Sequence, residues 1–163
     1  MKFKLSLIVA GLLALAMGST RATYAAPPKD ACSLLTPAQV NAALGVAPAS
    51  GKGTLDQSLC EWSQGNTMVH DKGIFLLILG SIGTLTPAQR FDAIKMPLPV
   101  KGIIKTPVSG LGDDAVYGQT GSGAPELTVK KGKVVFQIKV VGFPVDEIKA
   151  KEKALALDVL AKL

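Results

Sequence analysis

Between residues 126 and 140 the chain sorts its side chains by parity, and this constrains the fold more than any other feature. A two-residue turn at Lys131-Gly132 would set Val129 opposite Val134 and Leu127 opposite Phe136. Leu127, Val129, Val134, Phe136, Ile138 and Val140 then share one face. Glu126, Thr128, Lys130, Lys133, Val135, Gln137 and Lys139 share the other. Such a hairpin can bury one face only by joining an antiparallel sheet with a layer over its apolar side. Residues 145–163 offer that layer. Ile148, Leu155, Ala156, Val159, Leu160 and Leu163 recur at helical spacing, after Pro144 and an acidic first turn. Glu147–Lys151 and Asp158–Lys162 are spaced to pair along that helix.

Two shorter helices announce themselves by their caps. Thr36, Pro37 and Gln39 have the spacing of a capping box with proline at the first helical position, and Leu35 can staple to Val40. Gly45 can end that helix. The same five residues, Leu-Thr-Pro-Ala-Gln, return at 85–89. An internal duplication and convergence on good capping chemistry both explain the echo. Strands are expected over Leu59–Ser63, from about Met68 through the apolar run 74–79, and at 115–117 before the hairpin. Residues 47–57 and 119–125 read as loops, and 96–112 as a long connection with a short strand at Ile103-Ile104. The expected order is α-β-β-α-β-β-β-α: one α+β domain over 26–163, with a largely antiparallel sheet and helices packed on one face.

The first 25 residues read as an export signal. Lys2 and Lys4 precede thirteen apolar residues, and Thr23 and Ala25 suit a cleavage site. Thirteen is too short to span a bilayer, and no later run is long enough. The whole chain carries +6. Without Lys2, Lys4 and Arg21, fifteen basic and twelve acidic residues remain, so the mature chain is only mildly basic. That balance, and export itself, argue against nucleic acid as a partner. With 48% hydrophobic and 18% charged residues, the chain is not intrinsically disordered. In an oxidising compartment the two cysteines, Cys32 and Cys60, are expected to join.

No catalytic constellation emerges. His70 is the only histidine, which excludes a multi-histidine zinc site, and no Gly-x-Ser-x-Gly surrounds any serine. Asp113-Asp114 follow a glycine-rich stretch without the spacing of a calcium loop. Residues 118–123 match neither a P-loop nor a dinucleotide fingerprint, so no cofactor is expected. Trp62 lies two residues from Cys60, as a core residue against a cystine would. Trp62, His70, Asp113 and Asp114 are nevertheless the residues to inspect for a shared pocket. Lys130, Lys131, Lys133 and Lys139 crowd the hairpin tip and its outer face. They suit an acidic partner or an anionic envelope surface, or simply protect a solvated sheet.

The run from Cys32 to Val46, Cys60-Glu61-Trp62, and Gly110 to Ala115 together resemble small exported cell-envelope proteins and lipoproteins of unknown function. The likeness covers about residues 32–141 and implies an α+β domain with a disulfide tying the first helix to the first strand. The lipid-attachment cysteine of the lipoproteins is missing, because charged residues precede Cys32. The sequence thus suggests an exported, non-enzymatic domain that binds a protein or envelope partner. The alternatives are a small secreted inhibitor, presenting a loop near 47–57 or 119–125, and a hydrolase using scattered carboxylates.

Overall fold

A computed structural model describes residues 28, 30–46, 50–64, 72–97, 102–121 and 123–163. The expected leader, His70, Asp71 and Met68 lie outside the described residues. Seven strands form one antiparallel sheet: β1 (Lys52–Thr54), β2 (Leu59–Ser63), β3 (Gly73–Ile78), β4 (Ile103–Pro107), β5 (Asp114–Thr120), β6 (Glu126–Lys131) and β7 (Val134–Val141). Their order is β1-β2-β3-β7-β6-β5-β4. Two meanders, β1 to β3 and β4 to β7, therefore meet along a single seam where β3 pairs with β7. The expected order lacked β1 and a full-length β4, and these are the two edges.

The hairpin turns one residue later than the spacing suggests. Lys131 faces Val134, Val129 faces Phe136 and Leu127 faces Ile138, so the turn is Gly132-Lys133. Gly132 adopts φ 57°, a left-handed conformation that a side chain at that position would resist. The pairing has slipped by two residues, which preserves parity, so the predicted apolar face survives the error.

That face carries Cys60, Trp62, Ile74, Leu76, Leu127, Val129, Phe136, Ile138 and Val140, all buried. Over it lie α1 (Pro37–Leu44) and α3 (Val145–Leu160). Each fully buried large apolar side chain there contributes roughly 1.5–3 kcal/mol. Thr36 and Gln39 form the expected capping box, and Leu35 and Val40 are both buried. An identical box at Thr86 and Gln89 opens α2 (Pro87–Lys95). However, α2 does not share the helical face. Its Phe91 packs with Val116 and Val135, which alternate away from the main core, in a second apolar cluster. The physical reason is occupancy: α1 and α3 already cover the main face, so α2, on the connection from β3 to the far edge at β4, covers the other.

The disulfide is present. A 3-10 turn at Ala31–Leu34, capped by the Asp30 carboxylate on the Cys32 N–H at 2.8 Å, delivers Cys32 to Cys60 on β2. It thus ties the segment before α1, rather than the helix itself, to the sheet. The expected i,i+4 pairs on α3 are replaced by tertiary contacts. Lys151 donates to the Ala43 carbonyl at 2.8 Å, and Lys162, beyond the helix end, donates to the Ser33 carbonyl at 2.9 Å.

Candidate functional site

Three turns gather at one end of the sheet. Between β1 and β2, three successive non-glycine residues adopt left-handed conformations: Leu55 at φ 52°, Asp56 at 53° and Gln57 at 68°. Each costs roughly 1–2 kcal/mol for an L-residue, with aspartate the most tolerant. The strain is held by the Ser58 N–H and hydroxyl, which donate to the Leu55 carbonyl at 3.0 and 2.7 Å. The Ala31 N–H, next to Cys32, donates to the Gln57 carbonyl at 2.8 Å. The result is a leucine left 66% exposed.

The second turn follows β3. Ile82 and Leu85 bridge each other and stand 60% and 46% exposed. Arg90 of α2 braces the segment by donating to the Gly80 carbonyl at 2.6 Å. The third is the Gly132-Lys133 turn. Asp113 accepts the Gly132 N–H at 2.6 Å and pairs with Lys131 at 3.4 Å. The Gly132 N–H is also the main reason the Asp113 carboxyl sits below its ordinary pKa.

Among these turns, and beside Pro28 of the amino-terminal segment, runs a groove of about 440 Å³, with Pro28, Ile78, Leu79, Pro87 and Val134 as its apolar lining and Asp56 and Lys133 as its charged residues. Two smaller clefts exist elsewhere. One, of about 260 Å³, lies beside the cystine and Trp62; the other, of about 390 Å³, lies between α1 and α3.

The structure does not assemble the residues singled out from the sequence. Trp62 is buried level with Ile74 and Val140, whereas Asp114 is level with Lys130 and Val135 toward the other end of β7. Asp114 is paired with Lys95 of α2, so the adjacent aspartates are committed to separate structural partners. Of the four lysines, Lys133 alone reaches the groove. Lys131 is tied to Asp113, Lys130 lies 6.0 Å from the Phe91 ring centre, and Lys139 is on the outer face nearer the far end of β7. Among the described residues, no three His, Cys, Asp or Glu side chains are placed to hold a metal ion.

One unusual residue is not among those the sequence motifs mark. Glu152, on the sheet-facing side of α3, is fully buried. Its Oε1 accepts the Val140 N–H at 2.9 Å and its Oε2 has no partner. Burial, reinforced by Glu126, pushes its carboxyl up to about 8, against the opposing pull of the Val140 N–H, Lys139 and Lys149. Nearby, the Tyr117 hydroxyl donates to the Lys149 carbonyl at 2.8 Å, and burial and Glu152 raise its pKa to about 12. The sequence did hold the signal, since Glu152 lies four residues after Ile148 and three before Leu155, within the stripe that packs on the sheet.

Comparison with known protein families, curated proteins and solved structures finds no match. Among the described residues no helix is long and apolar enough to cross a membrane. The functional reading therefore rests on the turn-end groove and on the sequence that builds it.

Proposed function

We propose that this is an exported, non-enzymatic binding domain that grips an extended segment of a partner protein at the turn end of its sheet. The observation that carries the reading is the left-handed turn at residues 55–57. A strained backbone that holds a leucine in solvent beside a groove is costly to keep unless the leucine contacts something. Ile82 and Leu85, in the turn that follows the lining residues Gly80 and Ser81, add exposed apolar surface at the same end of the sheet. The partner segment carries apolar side chains and a carboxylate that faces Lys133, the rim cation without an ion pair among the described residues. The amino-terminal leader pattern and the cystine support export.

The test uses fluorescein-labelled ten-residue peptides that alternate leucine or isoleucine with aspartate, and matched peptides with lysine for aspartate. The acidic set is expected to bind saturably with a micromolar Kd. Lys133→Glu should weaken it about tenfold, or about 1.4 kcal/mol, and Leu55→Ser should weaken it further. Preference for the basic set, or affinity indifferent to both substitutions, overturns the reading. The inhibitor alternative draws on the same turn, which lies within the loop named for it. It would require loss of an envelope hydrolase's activity on adding the protein.

A further inference from the structure

The ladder between β6 and β7 ends where Leu127 meets Ile138, because β6 begins at Glu126. β7 runs on to Val141, so its Val140 N–H needs another acceptor. Glu152 supplies one from α3, the helix laid across this face. A glutamate is an awkward choice for a seam otherwise built from Ile148, Leu155, Ala156 and Val159. Glutamine would offer the same carbonyl acceptor with no charge to bury. What glutamate adds is a proton that can leave.

We propose that Glu152 is a proton-operated latch that holds α3 on the sheet when neutral and loosens it when ionised. As the neutral acid, it satisfies Val140 and places no charge in the core. As a carboxylate, it gains nothing at Oε2, which faces no donor, and a buried charge lacking its full set of hydrogen bonds is strongly disfavoured. The surrounding charges do not cancel this. Lys139 on β7 and Lys149 on α3 favour the anion, Glu126 on β6 opposes it, and the Tyr117 hydroxyl on β5 donates its hydrogen bond to the Lys149 carbonyl. α1, the other helix on this face, contributes no charged residue. The least costly relief is for the carboxylate to reach water by lifting the middle turns of α3 from β7 and β6. The same motion would bare the Val140 N–H and the Lys149 carbonyl.

The experiment follows backbone amide protection and shifts by NMR in the full chain between pH 6 and pH 9.5, for wild type and Glu152→Gln. In wild type, the Val140 amide shift should titrate with a midpoint above 7, and protection factors in the middle of α3 should fall about tenfold or more. In Glu152→Gln the Val140 titration should vanish and α3 protection should stay level. Should the glutamine variant fail to fold, carbon-detected titration of the Glu152 carboxyl in wild type decides. A midpoint above 7 supports the latch and one at or below 7 overturns it. Equal loss of α3 protection in both proteins also overturns it, since Tyr117 or a lysine would then be responsible.

Discussion

Replacing Gln57 with glycine should make the protein more stable, although glycine usually weakens a fold. Gln57 is exposed, sits at φ 68°, and uses its backbone carbonyl, not its side chain, to accept from Ala31. Glycine keeps that hydrogen bond and removes a left-handed cost of roughly 1–2 kcal/mol. Against this stands the greater freedom of the unfolded chain, about 0.5–1 kcal/mol. The balance is a gain of about 0.5–1 kcal/mol. For a folded body of roughly 135 residues, with an unfolding entropy near 2.1 cal/mol/K per residue, that corresponds to a rise in Tm of about 2–4 °C. Urea titration followed by Trp62 fluorescence reads it directly, because Trp62 is the single tryptophan and is buried. Thr54→Gly, one position before the turn on β1, is the control and should destabilise by a similar amount. If Gln57→Gly is neutral or destabilising, the turn is not strained and the argument that it is kept for contact loses its basis. If the argument holds, the stabilised variant should bind the acidic peptides more weakly, because Leu55 is then presented on a looser backbone.

Removing the cystine by a Cys32→Ala, Cys60→Ala double substitution should cost about 3–4 kcal/mol by the chain-entropy relation for cysteines 28 apart, read as a lower urea midpoint. Gly112→Ala should cost several kcal/mol in the same assay, since the added methyl would strike the Lys130 carbonyl at a residue held at φ 56°. Stability should also rise on mild acidification. The folded-state pKa of Glu152 is raised from 4.5 to about 8, so its contribution is fully present below pH 4.5 and is lost as pH climbs to about 8. A wild-type urea midpoint that increases from pH 8 to pH 5, with a flatter profile in Glu152→Gln, is the expected outcome. Asp113 acts in the opposite sense, its depressed pKa withdrawing stability only as pH falls below about 4.

What the sequence made legible follows the strength of local signals. Both capping boxes, β2 to the residue, and the inward face of the β6–β7 hairpin came from short-range chemistry that tertiary context did not override. The edge strands were missed for the opposite reason. β1 is three exposed residues with a central glycine, and β4 ends in proline, so neither offers alternation to read. The side chosen by α2 depends on which face the other helices leave uncovered, a property of the whole fold invisible in nine residues. The site was less legible still. Lys133 was included among the basic residues at the hairpin tip, but its neighbours arrive from two other turns more than 45 positions away. The left-handed backbone at residues 55–57 has no compositional mark, because leucine and glutamine are poor formers of that conformation. Glu152 is masked by its residue type: charged side chains in amphipathic helices ordinarily face water, and this one is buried because the helical period puts it inside.

The seam between the two meanders has a kinetic consequence. β1 to β3 and β4 to β7 can each assemble through short hairpin closures, and the cystine lies wholly within the amino-terminal part. Only the β3–β7 pairing joins segments separated by the whole α2 excursion. Forming it requires the costliest loop closure in the sheet, yet it supplies the wall on which α1 and α3 both rest. Truncations at Leu76 or Ile138, which face each other across that seam, should therefore slow refolding in stopped-flow experiments. Comparable truncations within β4 or β5 should mainly hasten unfolding.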